Sequence, residues 1–215
     1  AQYSVQRKKM AFVVSEGWKR TKFYLDENAR HFYEKVDRLL PETESRVVDR
    51  DKAENLYILR TYTDKNPGST YLYTAKTGSL RKLNDVNPAI KVQDMSDVKP
   101  VSYRSRDGLM ISGYLTLPSG VVAKDLPLVV MPHSGLFSRS SWVYNAEVQF
   151  LANRGYAVFQ ANFRGSEGYG KDFTAAGFKQ WGAKINNDIE DGVRWLVKKQ
   201  MVDAKRVGIY GTGFG

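Results

Sequence analysis

The chain has 215 residues, no cysteine, two histidines, and 33 basic against 23 acidic side chains, for a net charge of +10. The missing cysteines exclude a disulfide framework, a thiolate metal site and a cysteine nucleophile, and two histidines argue against a multi-histidine metal centre, so no metal or other cofactor is expected. At 42% hydrophobic and 26% charged the composition is that of a soluble globular protein. No apolar run reaches the roughly 18 residues of a membrane span, so no membrane partner is expected. The start, AQYSVQRKKM, lacks the apolar core of a signal peptide. A chain whose signal had been removed would begin the same way, so both cytoplasmic and exported locations stay open. The basic excess is spread evenly over residues 1–99 and 100–215. Its short clusters, such as Arg7-Lys8-Lys9 and Lys198-Lys199, have acids close by. That distribution predicts a diffusely charged surface and no nucleic-acid partner.

The first 99 residues read as strands. Lys9–Ser15 and Thr21–Asp26 are aromatic and β-branched runs joined through Glu16-Gly17-Trp18, a hairpin pattern. One helix is expected over Asn28–Leu40, capped by Asn28 and stopped by Pro41, with Phe32, Val36, Leu39 and Leu40 on its apolar side. Strands are expected again at Ser45–Asp49, Asn55–Tyr62, Thr70–Ala75 and Leu80–Leu83, separated by turn clusters such as Lys76-Thr77-Gly78-Ser79. Four short strands in about 40 residues have the size of one propeller blade, which cannot bury both of its faces alone.

Near Pro100 the grammar changes to strand and helix in alternation. Strands are expected at Leu109–Leu117, Leu126–Met131, Tyr156–Ala161 and Arg206–Tyr210, with helices at Tyr144–Asn153 and Asn187–Lys199. This order predicts an α/β domain with a mostly parallel sheet covered on both faces. The last strand runs into Gly211-Thr212-Gly213-Phe214-Gly215. A buried strand followed by G-x-x-x-G is the frame of a nucleophile elbow, G-x-S-x-G, in which the central residue sits on a strained apex. Here the apex is Gly213, which has no atom with which to attack a carbonyl. Thr212 occupies the variable position, so its hydroxyl is expected to point elsewhere.

Several further segments stand in a recognisable order: His133-Ser134-Gly135-Leu136 after the strand LPLVVMP, then EVQFLANRGYAVFQANFRGSEGYGKDF, the Trp181-Gly182 pair, and NDIEDGVRWLVKKQMVDAKRVGIYG. This series resembles the catalytic domain of the prolyl oligopeptidase family of serine peptidases, in its acylaminoacyl-peptidase and dipeptidyl-aminopeptidase-like branch. FYLDENARHFYEKVDRLLP and VKPVSYRSRDGLMISGYLTLP resemble the last part of that family's β-propeller and the return into its hydrolase domain. The resemblance implies the end of a β-propeller at residues 1–99 and the N-terminal part of an α/β-hydrolase domain at residues 100–215, truncated at the elbow.

In that family a serine attacks the peptide carbonyl, a histidine takes its proton and an aspartate orients the histidine. By resemblance, Gly213 stands at the serine's position and the N–H groups of Gly135 and Phe214 form the oxyanion hole. His133 supports the oxyanion loop rather than serving as the base. His31 lies in the propeller-side helix, and the aspartate and histidine are expected after residue 215. HSGL departs from the family's HGGP, yet Gly135 keeps the residue whose N–H matters. Arg164 falls at the edge of the site, where it either contacts substrate or pairs with a carboxylate such as Asp188. The glycines around it do not have phosphate-loop spacing.

The resulting expectation is a part of a serine peptidase that hydrolyses short peptides through an acyl-enzyme. As written, with Gly213, it is expected to be inactive, and the glycine is either natural or introduced. The alternatives are a catalytically dead peptide-binding or assembly relative, or an esterase of the same fold. Residues 1–215 by themselves are expected to need the rest of the hydrolase domain, or a partner chain, for stability.

Overall fold

The structure is a computed structural model that describes residues 2–4 and 6–215. It divides into two compact units, Ala1–Val92 and Gln93–Gly215. The division falls ahead of the composition change near Pro100 because Val98 and Lys99 already pair with Thr116 and Leu115 of the second unit.

In the first unit, strands β1 (Gln2–Ser4), β2 (Lys9–Glu16) and β3 (Arg20–Tyr24) form an antiparallel sheet in that order. Strands β4 (Glu44–Arg50), β5 (Leu56–Tyr62), β6 (Ser69–Thr74) and β7 (Ser79–Asp85) form an antiparallel meander of propeller-blade size. Helix α1 (Glu27–Leu39) packs on both sheets. Ala29 and Tyr33 meet Ala11 and Phe12 of β2, while Val36 meets Tyr57, Leu59 and Tyr73 of the meander. Phe32 joins the two clusters, with its ring 5.1 Å from Tyr33 and 4.4 Å from Tyr57.

Two expectations for α1 are corrected. Its N-cap is Asp26, with extended backbone, rather than Asn28. The Asp26 carboxylate makes no capping bond and instead accepts from Arg7 Nε at 2.9 Å. Leu39 is 46% exposed, because a helix wedged between two sheets buries Ala29, Tyr33 and Val36 rather than one simple stripe.

The second unit is a five-stranded mixed sheet in the order β12-β10-β11-β9-β8. Its strands are β8 (Val98–Arg104), β9 (Met110–Thr116), β10 (Leu126–Val130), β11 (Ala157–Asn162) and β12 (Val202–Ile209). Only the β10–β11 and β10–β12 pairings are parallel; β8–β9 and β9–β11 are antiparallel. The mostly parallel sheet expected from the sequence is therefore corrected to a mixed one. Apolar runs mark buried strands but carry no direction, and a tight turn at Ser105–Leu109 folds β8 back on β9.

Helix α2 (Ala146–Asn153) covers one face, where Val148 packs with Met131 and Val158. The Asn145 side chain caps it by accepting from the Glu147 and Val148 amides. Helix α4 (Lys184–Lys198) covers the other face, where its Leu196 packs with Leu128 and Phe159. It starts before Asn187 because Ile185 and Asp188 are both buried in its first turns. The short helix α3 (Lys171–Ala175) precedes it. Strand β12 lies at the sheet edge and leaves Ile209 69% exposed.

Candidate active site

The parallel strands β10, β11 and β12 end at one edge of the sheet, so the segments that follow them meet there. These are Met131–Leu136 after β10, Phe163–Gly170 after β11, and Gly211–Gly215 after β12. The Tyr210 amide still donates to Val130 O at 2.9 Å, and the chain then turns sharply. A Cβ on Gly211 would lie 2.2 Å from the backbone carbon of Gly215, and one on Gly215 would lie 2.5 Å from Pro132 O. Neither position admits a side chain. Gly213, at the apex, has φ +59°, the left-handed region in which an L-residue is strained. The turn thus has the close-packed outer glycines and strained centre of a nucleophile elbow, with no side chain at the apex.

The loop after β10 is fastened from several sides. The His133 ring stacks on Phe163 with centroids 4.2 Å apart, and Phe163 packs against Phe214. His133 Nδ1 lies 2.8 Å from Gly135 O and Nε2 lies 2.8 Å from Ser166 Oγ. A carbonyl only accepts, so Nδ1 carries the proton and donates to Gly135 O, and in the neutral ring Nε2 is left to accept. The single Ser166 hydroxyl proton faces two acceptors, His133 Nε2 and Phe163 O, the latter at 2.6 Å. Burial pushes the His133 pKa down to about 4; the bond to Gly135 O opposes the shift, and the charge of Arg139 adds to it. The ring is neutral at pH 7. Although Ser166 and His133 are in contact, Ser166 is fully buried and Nδ1 faces a carbonyl rather than a carboxylate. This pair is not a nucleophile and its base.

Gly135 and Phe214, expected to share an oxyanion hole, lie on facing segments, but their N–H groups do not converge. The Phe214 amide donates to Ser134 O at 3.1 Å. All described peptide bonds are trans, so the Gly135 N–H points away from the Ser134 carbonyl, and therefore away from Phe214.

Of the two roles expected for Arg164, contact with substrate or pairing with a carboxylate such as Asp188, the side chain takes the second. It is 3% exposed, and its guanidinium is gripped by two carboxylates. Nε and Nη2 donate to Asp188 at 2.8 and 2.7 Å, while Nη1 and Nη2 donate to Asp107 at 2.8 and 2.9 Å. Asp188 is fully buried and also accepts from the Arg164 amide at 3.0 Å. The Arg164 hydrogen bonds hold the Asp107 carboxyl well below the usual carboxylate range, with Lys184 assisting at 3.3 Å. This cluster ties the β11 loop to α4 and to the β8–β9 turn.

His31 lies on α1 in the first unit. Reading the sequence missed Ser166, Asp107 and the Ser134 carbonyl, all of which act through contacts between segments distant in the chain.

A mixed α/β unit with a glycine-framed turn after its edge strand β12, a histidine-held loop after the neighbouring strand β10 and a blade-like unit ahead of it in the chain fits the α/β-hydrolase class with a preceding propeller segment. The sequence profile of the prolyl oligopeptidase family matches residues 142–215. Over those residues the chain is similar to that family of serine peptidases.

The chain is 35% identical to dipeptidyl aminopeptidase BIII of Pseudoxanthomonas mexicana, over 89% of this chain and 29% of that protein. Dipeptidyl peptidase family member 6 of Caenorhabditis elegans is 31% identical, over 73% of this chain and 24% of that protein. Among solved structures, the acylaminoacyl peptidase of Pyrococcus horikoshii superposes with a TM-score of 0.63 at 26% identity, covering 78% of this chain and 27% of its own. The chain therefore spans less than a third of the length of these relatives.

Proposed function

We propose that this chain is the segment of a prolyl oligopeptidase-type serine peptidase that builds the oxyanion loop and the nucleophile elbow. The reaction to which it belongs is hydrolysis of peptide bonds in short peptides through an acyl-enzyme. The names of its relatives, dipeptidyl aminopeptidase and acylaminoacyl peptidase, support short peptides as the substrate class. The observation that carries the reading is the elbow itself. Gly211 and Gly215 are locked by close contacts, and residue 213 stands between them in the left-handed conformation of a nucleophile.

With glycine at 213 the chain forms no acyl-enzyme. Loss of a serine nucleophile lowers turnover by about a million-fold, leaving only binding and oxyanion effects. His133 and Ser166 act as supports of the loop, and Arg164 as a support of the fold. The test is Gly213→Ser in the full-length protein, followed by a fluorophosphonate probe. The reading predicts labelling at residue 213 in the variant and none there in the unsubstituted protein. An unlabelled, folded variant would overturn it. A faster rate on short acyl esters than on aminoacyl-naphthylamides would move the assignment to an esterase.

The glycine also supports a second reading, a relative that binds peptides without cleaving them. It predicts measurable peptide affinity with no turnover in the unsubstituted protein.

A further inference from the structure

We infer that the Ser134–Gly135 peptide is a plug in the oxyanion site, held shut by Phe214 and permitted by the glycine at 213. This rests on the elbow reading above. Ser134 O receives the Phe214 amide at 3.1 Å, a distance at which an oxyanion would sit from that donor. The same oxygen lies 3.2 Å from where a Cβ of residue 213 would be. It therefore occupies the space beside the nucleophile position into which a substrate's carbonyl oxygen would move.

Rotation of this single peptide opens the site. Its plane is rigid and trans, so turning the Ser134 carbonyl outward swings the Gly135 N–H into the vacated place, where it joins the Phe214 N–H. Only the two torsions flanking the peptide change. Gly135 tolerates either sign of φ, which any other residue at this position would resist. Its N–H has no acceptor among the described residues, so no bond on that side has to break. Meanwhile His133 holds the next carbonyl, Gly135 O, at 2.8 Å, so the loop has an anchor about which to turn.

Residue 213 is sterically coupled to the plug. Glycine lets Ser134 O approach, whereas a Cβ at 3.2 Å is tighter than most carbon–oxygen contacts and pushes the carbonyl toward the open arrangement. A side chain at 213 would thus favour the site it needs.

The test is amide hydrogen exchange at single-residue resolution on the ligand-free full-length protein. The Phe214 amide should be protected in the unsubstituted protein and should exchange about ten-fold faster in Gly213→Ala, as for one lost backbone hydrogen bond. Protection of the Tyr210 amide, bonded to Val130 O, should stay unchanged and reports that the variant is folded. An unprotected Phe214 amide in the unsubstituted protein, or equal protection in both, would overturn the plug. Should Gly213→Ala lose Tyr210 protection, Gly135→Ala in the Gly213→Ser background decides instead. The plug predicts slower fluorophosphonate labelling than with Gly213→Ser alone, and an equal rate would overturn it. Protection at Phe214 without labelling of Gly213→Ser would refute the peptidase reading and leave the plug standing. Labelling without protection would do the reverse.

Discussion

Arg164→Met separates a buried charge pair from an exposed one within a single cluster. The substitution keeps an unbranched apolar stem and removes the guanidinium. Asp188, fully buried, loses two of its three side-chain acceptor bonds and keeps only the Arg164 amide. A carboxylate stranded in this way costs about 3–5 kcal/mol. Asp107 has 33% of its side chain exposed and keeps Lys184, so its share is at most about 1 kcal/mol. The loss should appear where the cluster holds the chain, at the Gly165 and Ser166 amides, which donate to Phe173 O and Phe163 O. At about 1.4 kcal/mol per ten-fold, their exchange should accelerate by two to three orders of magnitude or more. Asp107→Asn should accelerate it by less than about ten-fold. If the two variants were equivalent, or if Arg164→Met changed exchange less than ten-fold, the claim that buried pairing with Asp188 holds this loop would be wrong.

The loop after β10 should weaken as acid is added. His133 has a native pKa pushed down to about 4 from an unfolded value of 6.5, so the unfolded chain binds the proton first. Its contribution is intact above pH 6.5, falls between 6.5 and 4 and levels off below; a pH titration of loop proteolysis that is flat over that window would contradict this. Asp107 and Asp191, both held low by arginine hydrogen bonds, add a second loss as pH drops below their ordinary range near 3.8, measurable as a further fall in the urea midpoint. Gly192→Ala places a Cβ 2.6 Å from the Phe159 ring and 2.7 Å from the Tyr103 ring, and should destabilise by about 1–3 kcal/mol in thermal melts. As an isolated polypeptide, residues 1–215 should self-associate in sedimentation velocity, because Ile209, Tyr210 and Phe150 are exposed beside an unpaired edge strand. A cooperative, monomeric species at low concentration would refute that.

Much of this site was legible from local chemistry. The G-x-x-x-G frame announced a turn whose outer positions exclude side chains, and the Cβ clashes at Gly211 and Gly215 supply the reason. The Arg164–Asp188 pairing was one of two readings of the sequence, and burial selected it. Strand directions were not legible, because β9 and β11 have similar apolar runs yet pair antiparallel. Nor were Ser166 and Asp107, since neither polar residue carries a local signal distinguishing a loop support from a solvated side chain.

By itself the sequence determined the alternation of elements, the two composition zones and the absence of any attacking atom at residue 213, because these depend on residue type and local spacing. Only the tertiary structure decided that Ser134 O meets the Phe214 amide and that the Gly135 N–H turns away from it. The orientation of a peptide plane is set by contacts between segments some 80 residues apart, and side-chain identity leaves no record of it.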